Sequence, residues 1–372
     1  MTKRYSMFLT VLFCAFIGGV FLVSLLLPKK EFSELENRYL EKPPTLSLEA
    51  LKEGEFMENA EDYVSDHIVG RDFWVAAKAW CERLSGKKEN NGVYFAKDDT
   101  LINRVEEPDP DKLDKDMGYV DALVGNVSVP VYFGLIPTAA ATWADKLPAG
   151  APTADELSII DRLYFGTGAE TIDMAGALAA HKDEAIYYRT DHHWTSLGAF
   201  YGANALFETM GLEPLDLNDY KKTTVTEDFN GTIFSSSGVR WVKPDQIDTY
   251  IPGDGVKVTS YFDGTPTEGS LYVDSFLEKK DKYSYFLGGR QPLCVLETEH
   301  TGAPKVLVIR DSYSDSLAPF LTERFSEVHL FDPRDNLTSI KSYVAEHDID
   351  AVVVLYSFSN FAGDKNLFLL GR

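Results

Sequence analysis

The sequence has few cysteines, few basic residues beside its acidic ones, and no internal repeat or low-complexity tract. Cys14, Cys81 and Cys294 are too few for a disulfide scaffold and lack the C-x-x-C spacing of a structural zinc site. Pairing of Cys81 with Cys294 is possible in an oxidising compartment, but two unpaired buried thiols are the expectation. Lys plus Arg number 36 against 58 Asp plus Glu. Four of those bases, Lys3, Arg4, Lys29 and Lys30, lie in the first 30 residues, which hold no acid; the remainder carries 32 bases against 58 acids, a net −26. A surface that acidic repels phosphate backbones, so nucleic acid is not expected as a main partner. Disorder is excluded as a description of the whole, because 44% of the 372 residues are apolar, enough for one large core or two smaller ones.

Charge is also missing from Met7 to Leu27, a run of 21 residues long enough to cross a bilayer core. Signal peptides have a shorter apolar stretch followed by a small-x-small cleavage site; this run ends in Leu25-Leu26-Leu27 and passes directly to Pro28-Lys29-Lys30. An uncleaved signal anchor fits better. A soluble core helix of this length would show a polar face. Lys3 and Arg4 are balanced by Lys29 and Lys30, so the positive-inside count does not decide orientation. The short basic tail favours an inside N-terminus, which leaves a single-pass protein of the cell membrane with its large acidic part extracellular.

Residues 1–28 are thus read as the anchor, 29–115 as a stalk or helical region packing on the core, and 116–372 as the main domain. In the stalk, helical patterning runs from Ser47 to Trp80, a turn at Asn91-Gly92 precedes a short strand at Val93-Tyr94-Phe95, and the acidic run Glu106 to Asp111 is a linker candidate. From about residue 116, short apolar runs alternate with helical stretches, the pattern of a mostly parallel sheet covered by helices. The expected strands are Val127 to Ile136, Ala185 to Arg189, Lys305 to Arg310, Glu327 to Phe331 and Asp350 to Tyr356. The expected helices are Ala154 to Phe165, Ser196 to Met210, Ser314 to Phe325 and Leu337 to His347. Residues 240–301 break the rhythm and read as a β-rich insertion able to frame a groove.

Two constellations carry chemistry. In Tyr188-Arg189-Thr190-Asp191-His192-His193-Trp194, an extended backbone would put Asp191 and His193 on one face and His192 on the other. A carboxylate beside an imidazole fixes its tautomer and stabilises the imidazolium. The alternative is a structural histidine pair capping the next helix. In Val308-Ile309-Arg310-Asp311-Ser312-Tyr313-Ser314, a strand ends abruptly in polar residues and runs into a helix. Ligands bind at the carboxyl ends of parallel strands, and free N–H groups there stabilise an oxyanion. Ser314 is the better cap candidate, which leaves Ser312 for chemistry. A serine needs an aligned base and the base an orienting acid, so Ser312, His193 and Asp191 together outweigh either segment alone.

Asp191-His192-His193-Trp194 resembles the signature of the bacterial DHHW proteins, which are similar to the SGNH-hydrolase-like alginate O-acetyltransferases, with Asp-x-His-Trp followed much later by Gly-Asp-Ser-Phe. The resemblance extends to the anchor, Glu36-Asn37-Arg38, Asp66 to Arg71, Asn91 to Tyr94 and Asp281-Lys282-Tyr283. It implies a three-layer α/β SGNH-hydrolase-like sheet with flanking helices. It also implies O-acyl transfer, in practice O-acetyl, onto a cell-surface or secreted polysaccharide, beside a membrane-bound O-acyltransferase that supplies the acyl group. Ser312 would be nucleophile, His193 base and acid, Asp191 its orienter, with no cofactor. Arg310 stands where the family pattern has glycine and would put a cation near the oxyanion site. Trp194 is a candidate wall for a sugar, and Asn230 in the Asn230-Gly231-Thr232 turn a candidate substrate contact.

Three other readings remain. The same triad with water as acceptor makes a carbohydrate esterase. Asp-His-His also occurs in metal-dependent phosphoesterases, but these need further carboxylates, and the available Asp109-x-Asp111 lies in the linker candidate, so no metal is expected. The third is a non-catalytic glycan-binding or assembly partner.

Overall fold

The structure is a computed structural model that describes residues 3–372. The chain divides into two units, one reaching to Asn91 and including Phe234–Trp241, the other formed by Gly92–Ile233 and Val242–Arg372. Residues 92–115 are therefore grouped with the second unit.

In the first unit, α1 (Lys3–Leu26) has no buried residue, and among the described residues it is the one helix long and apolar enough to cross a membrane. The helical stretch expected from Ser47 to Trp80 is three helices, α2 (Leu48–Glu53), α3 (Glu55–Asp66) and α4 (Arg71–Leu84). The breaks fall at Gly54 (φ 86°) and Gly70 (φ 69°), left-handed positions that a side chain would strain. Asp66 accepts from Arg38 Nη1 at 2.8 Å and from the Glu41 amide at 2.9 Å, while Arg38 and Arg71 both pair with Glu36. The Glu36-Asn37-Arg38 and Asp66–Arg71 segments are thus one ionic knot. Cys81 is exposed on α4, not buried as expected, and all three cysteines are free.

In the second unit, the expected linker at 106–111 instead starts a helix. Asp109 Oδ1 accepts from the Asp111 amide at 3.0 Å and Pro110 opens α5 (Pro110–Asn126), where its missing N–H costs nothing. The central sheet has eight strands: β1 (Val131–Ile136), β2 (Glu170–Thr171), β3 (Lys257–Ser260), β4 (Thr267–Glu268), β5 (Leu293–Glu297), β6 (Lys305–Arg310), β7 (Glu327–Phe331) and β8 (Ala351–Ser357). Their spatial order is β4-β3-β5-β7-β6-β8-β1-β2. From β7 to β2 all pairs are parallel; β5, β3 and β4 extend the sheet antiparallel. Successive residues of β1 and β8 are all buried, so both faces are covered, and the fold is the expected mixed α/β sheet with helices on either side. The flanking helices include α6 (Glu156–Tyr164), α7 (Ser196–Thr209), α8 (Tyr313–Leu321), α9 (Ile340–Glu346) and α10 (Phe358–Gly363).

Two expectations about β structure change as well. Residues 240–301 do not form a separate β insertion throughout, because β3, β4 and β5 widen the main sheet while Asp245–Thr249 pairs with Thr223–Phe229. Ala185 to Arg189 is not a strand of the sheet. It folds back on itself through a single bridge between Tyr187 and Trp194, with the Thr195 amide donating to Ile186 O at 2.9 Å, so residues 189–193 bend.

Candidate active site

β6 and β8 lie side by side and end on the same side of the sheet, where Asp311 ties them together. Its Oδ2 accepts from the Ser357 amide at 2.8 Å, from Ser357 Oγ at 2.7 Å and from Asn360 Nδ2 at 2.8 Å. Its Oδ1 accepts from the Tyr313 amide at 3.0 Å. Asp311 therefore serves the first free N–H of α8. Ser314 is not the cap: its Oγ is buried without a hydrogen-bond partner. Ser312 occupies the cap position with helical dihedrals and makes no side-chain cap bond. Its hydroxyl is left to face the 189–193 bend.

There His193 Nε2 lies 2.8 Å from Ser312 Oγ, and His193 Nδ1 lies 2.6 Å from Asp191 Oδ1. Three side chains, two of them 119 residues apart, are thus joined in the order Ser312, His193, Asp191 by hydrogen bonds. The Asp–His pair expected from an extended strand does form, but through a bend: Asp191 Oδ1 also accepts from the His193 amide at 3.0 Å, a local turn around the carboxylate. For the same reason His192 does not face away. Its ring lies 3.9 Å from the His193 ring, centroid to centroid.

The second carboxylate oxygen of Asp191 accepts from the Thr232 amide at 2.7 Å and from Thr232 Oγ1 at 2.9 Å. A hydroxyl has one proton, so Thr232 Oγ1 must accept from His192 Nδ1, 2.7 Å away. His192, Thr232 and Asp191 form a directed chain that fixes the His192 tautomer. Burial, followed by the neighbouring His193, lowers His192 to about 4 against the opposing pull of Asp191 and Asp311. Burial alone would raise the Asp191 carboxyl; the two histidines and the hydrogen bonds overcome it and hold the group well below the usual carboxylate range.

In the Asn230-Gly231-Thr232 turn, Gly231 and Thr232 hold the bend. The Thr232 amide serves Asp191, the Gly231 amide donates to Thr190 Oγ1 at 3.1 Å, and Asn230 Oδ1 is buried without a partner. Gly231 has no room for a side chain, since a Cβ there would lie 2.2 Å from the Asp191 Cβ. Trp194 is fully buried, its Nε1 donating to Tyr313 O at 2.9 Å and its ring seated against Gly202, so it packs the bend onto α8 and offers no wall to a sugar. Arg310 is fully buried too. It pairs with Asp315 at 2.8 Å, leaving Nε and Nη2 without partners, so its charge points into the protein.

Tyr283 completes the surroundings. Its ring stacks on His193 at 3.7 Å and 8°, and its hydroxyl donates to Ser312 O at 3.0 Å. Burial keeps that hydroxyl protonated by raising it well above its ordinary value. Nothing in the spacing of 283 from 193 and 312 signals this contact; only its place in the Asp281-Lys282-Tyr283 segment singled it out. Thr232 and Gly231 were visible as a turn, but not as supports of Asp191.

Asp191, His192 and His193 each present one possible metal-ligand atom within 4.8 Å of the others. The residues fit a metal poorly, because both His193 nitrogens and both Asp191 oxygens are engaged with Ser312, with each other and with Thr232. Asp109, the further carboxylate that reading wanted, is occupied capping α5.

The family model described as DHHW protein matches residues 168–331. No curated protein matches the chain. Among solved structures, a DHHW family protein from Eubacterium siraeum DSM 15702 is 26% identical with a TM-score of 0.67, covering 76% of this chain and 95% of that one. Bacillus cereus PatB1 with a sulfonyl adduct is 19% identical with a TM-score of 0.62, covering 75% and 98%; a further structure of PatB1 gives 21%, 0.61, 73% and 97%. The likeness to DHHW proteins read from Asp191-His192-His193-Trp194 therefore holds twice over, as a family match across residues 168–331 and as a shared fold across 76% of the chain.

Proposed function

We propose that this protein is an O-acyltransferase, moving an acetyl group onto a polysaccharide hydroxyl through Ser312, His193 and Asp191. The observation that carries the reading is the 2.8 Å approach of Ser312 Oγ to His193 Nε2, with Asp191 2.6 Å from the other ring nitrogen. His193 takes the Ser312 proton as Oγ attacks the acyl carbonyl, and returns it to the leaving group when the tetrahedral intermediate collapses to an ester on Ser312. A sugar hydroxyl then gives its proton to His193 and attacks that ester, which restores Ser312 and releases the acylated glycan. Asp191, kept ionised, holds the ring and stabilises the imidazolium. The Ser312 amide at the head of α8 is the oxyanion donor in this scheme.

In the same reading α1 is an uncleaved single-pass anchor, the acidic remainder lies outside the cell, residues 116–372 are the catalytic part, and a membrane-bound O-acyltransferase delivers the acyl group. The PatB1 structure carries a sulfonyl adduct. A serine-directed sulfonyl fluoride is therefore a suitable probe here. The full chain, given an activated acetyl ester with and without candidate glycans, should transfer acetyl to glycan and lose that activity on sulfonylation of Ser312. Release of free acetate alone, unchanged by any glycan, points to an esterase. Absence of any Ser312 mark with either reagent removes the enzymatic reading.

A further inference from the structure

Within the first unit, the α3–α4 bend meets the C-terminal end of α1 at a defined height. Ser24 lies two residues before the end of α1 at Leu26, and its Oγ accepts from the Val69 amide at 2.9 Å. At 1.5 Å per residue, the α3–α4 bend reaches a level roughly 3 Å inside the end of the apolar helix. His67 Nε2, 3.2 Å from Lys30 O, holds the same bend to the segment leaving α1.

Immediately beyond the bend, the first turn of α4 carries Phe73 and Trp74, 65% and 44% exposed, with ring centroids 5.2 Å apart. Trp74 Nε1 is already satisfied by Val69 O at 3.1 Å. Adjacent exposed aromatics are costly in water, whereas the headgroup layer of a bilayer favours them. Lys29 and Lys30 follow α1 after Leu27 and Pro28 and bring positive charge to this level, where anionic headgroups attract it.

We propose that Phe73 and Trp74 insert into the interfacial layer of the bilayer that α1 spans, so that the first unit is held to the membrane surface by the start of α4 as well as by its anchor. The occupant is lipid because the patch is continuous with the lipid-facing helix through the Ser24–Val69 bond. The proposal rests on the reading of α1 as a retained anchor.

The test uses the full chain in vesicles of phosphatidylcholine and phosphatidylglycerol, with a nitroxide on single cysteines. Native Cys14 reports the helix in a Cys81→Ser background. Phe73→Cys, Trp74→Cys and Leu84→Cys are made with Cys14→Ser and Cys81→Ser; Cys294 is fully buried and escapes the label. Leu84, 81% exposed at the far end of α4, is the reference in water. The ratio of oxygen to nickel-chelate collision rates should be several-fold higher at 73 and 74 than at 84, and highest at 14. Aqueous ratios at 73 and 74 beside a lipid ratio at 14 overturn the interfacial contact alone. Shielding of 73 and 74 from both reagents also overturns it, in favour of a protein partner or second copy. An aqueous ratio at 14 removes the anchor reading and this proposal with it.

Discussion

The two segments that supply the candidate triad differ in how fully their buried polar groups are satisfied. In the bend from Arg189 to Thr195, polar groups are saturated: the buried Asp191 carboxylate receives four hydrogen bonds, and Thr190 bonds Asp245 and Phe229 O. At the β6–α8 junction Asp311 is saturated as well, but Arg310 Nε and Nη2 and Ser314 Oγ are buried with no partner, and Ser312 Oγ has His193 as its partner. Burial pushes the Asp315 carboxyl up to about 6 in spite of Arg310 beside it. Asp191 and His193 are held by a web that costs little to keep, while Ser312 sits on a segment carrying buried polar groups the fold does not satisfy.

Replacing Ser312 gives the sharpest contrast between the segments. Ser312→Ala should lower acyl transfer on the order of a thousandfold or more while leaving stability within ~1–2 kcal/mol, because its hydroxyl makes no cap bond. Wild-type transfer by this variant, measured beside its thermal unfolding, would end the serine assignment. His193→Ala should lose activity to a similar extent. His192→Ala should cost much less, since His192 reaches Asp191 through Thr232; equal and complete loss from both, with folding intact, would favour a metal site.

Stability should respond more at the junction than at the bend. Arg310→Ala removes the cation paired with the buried Asp315 carboxyl and should cost about 3–5 kcal/mol. The double change Arg310→Met with Asp315→Leu should be near neutral or stabilising, since it removes both charges along with the unsatisfied guanidinium nitrogens. Denaturant unfolding of the pair decides the point: a double variant less stable than Arg310→Ala contradicts the account of an underpaired ion.

In the bend, Gly231→Ala forces its new Cβ against Asp191 and should cost about 1–3 kcal/mol, with a larger proportional loss of transfer than of stability because the orienting acid must move. An unfolding curve and a rate matching wild type would show that the carboxylate has room to spare.

The smallest effect is in pH dependence. His192 is lowered to about 4 in the fold against 6.5 ordinarily, so between those values the unfolded chain binds the proton that the fold does not. Its contribution to stability is present above pH 6.5 and is lost as pH falls toward 4. His192→Asn should flatten the stability curve in that window, and an unchanged slope by unfolding titration would show that His192 titrates normally.

Much of this was legible in local sequence. β6 and β7 match the expected strands residue for residue, and β8 differs by one residue at each end, because buried parallel strands read as continuous apolar runs. The helix expected at Ser196 to Met210 is found at Ser196–Thr209. The pairing of Asp191 with His193 was also legible, although it forms through a turn rather than an extended strand. Asp109 and Pro110 start a helix where the sequence suggests a linker, since an acidic proline-containing run satisfies both patterns and only α5 behind it separates them.

The sequence by itself determined the uncharged run that becomes α1, the alternation that becomes a covered parallel sheet, and the three residue types needed for a relay. These depend on residues within one segment, where periodicity and charge act over a few positions. The tertiary structure alone decided that Ser312 lies 2.8 Å from His193, that Tyr283 stacks on that histidine, and that Thr232 and Gly231 enclose Asp191. It also decided that Trp194 and Arg310 turn inward. Each of these joins positions about 40 to 120 apart in the chain, or sets which way a side chain faces, and both follow from how strands and helices pack rather than from neighbours in sequence.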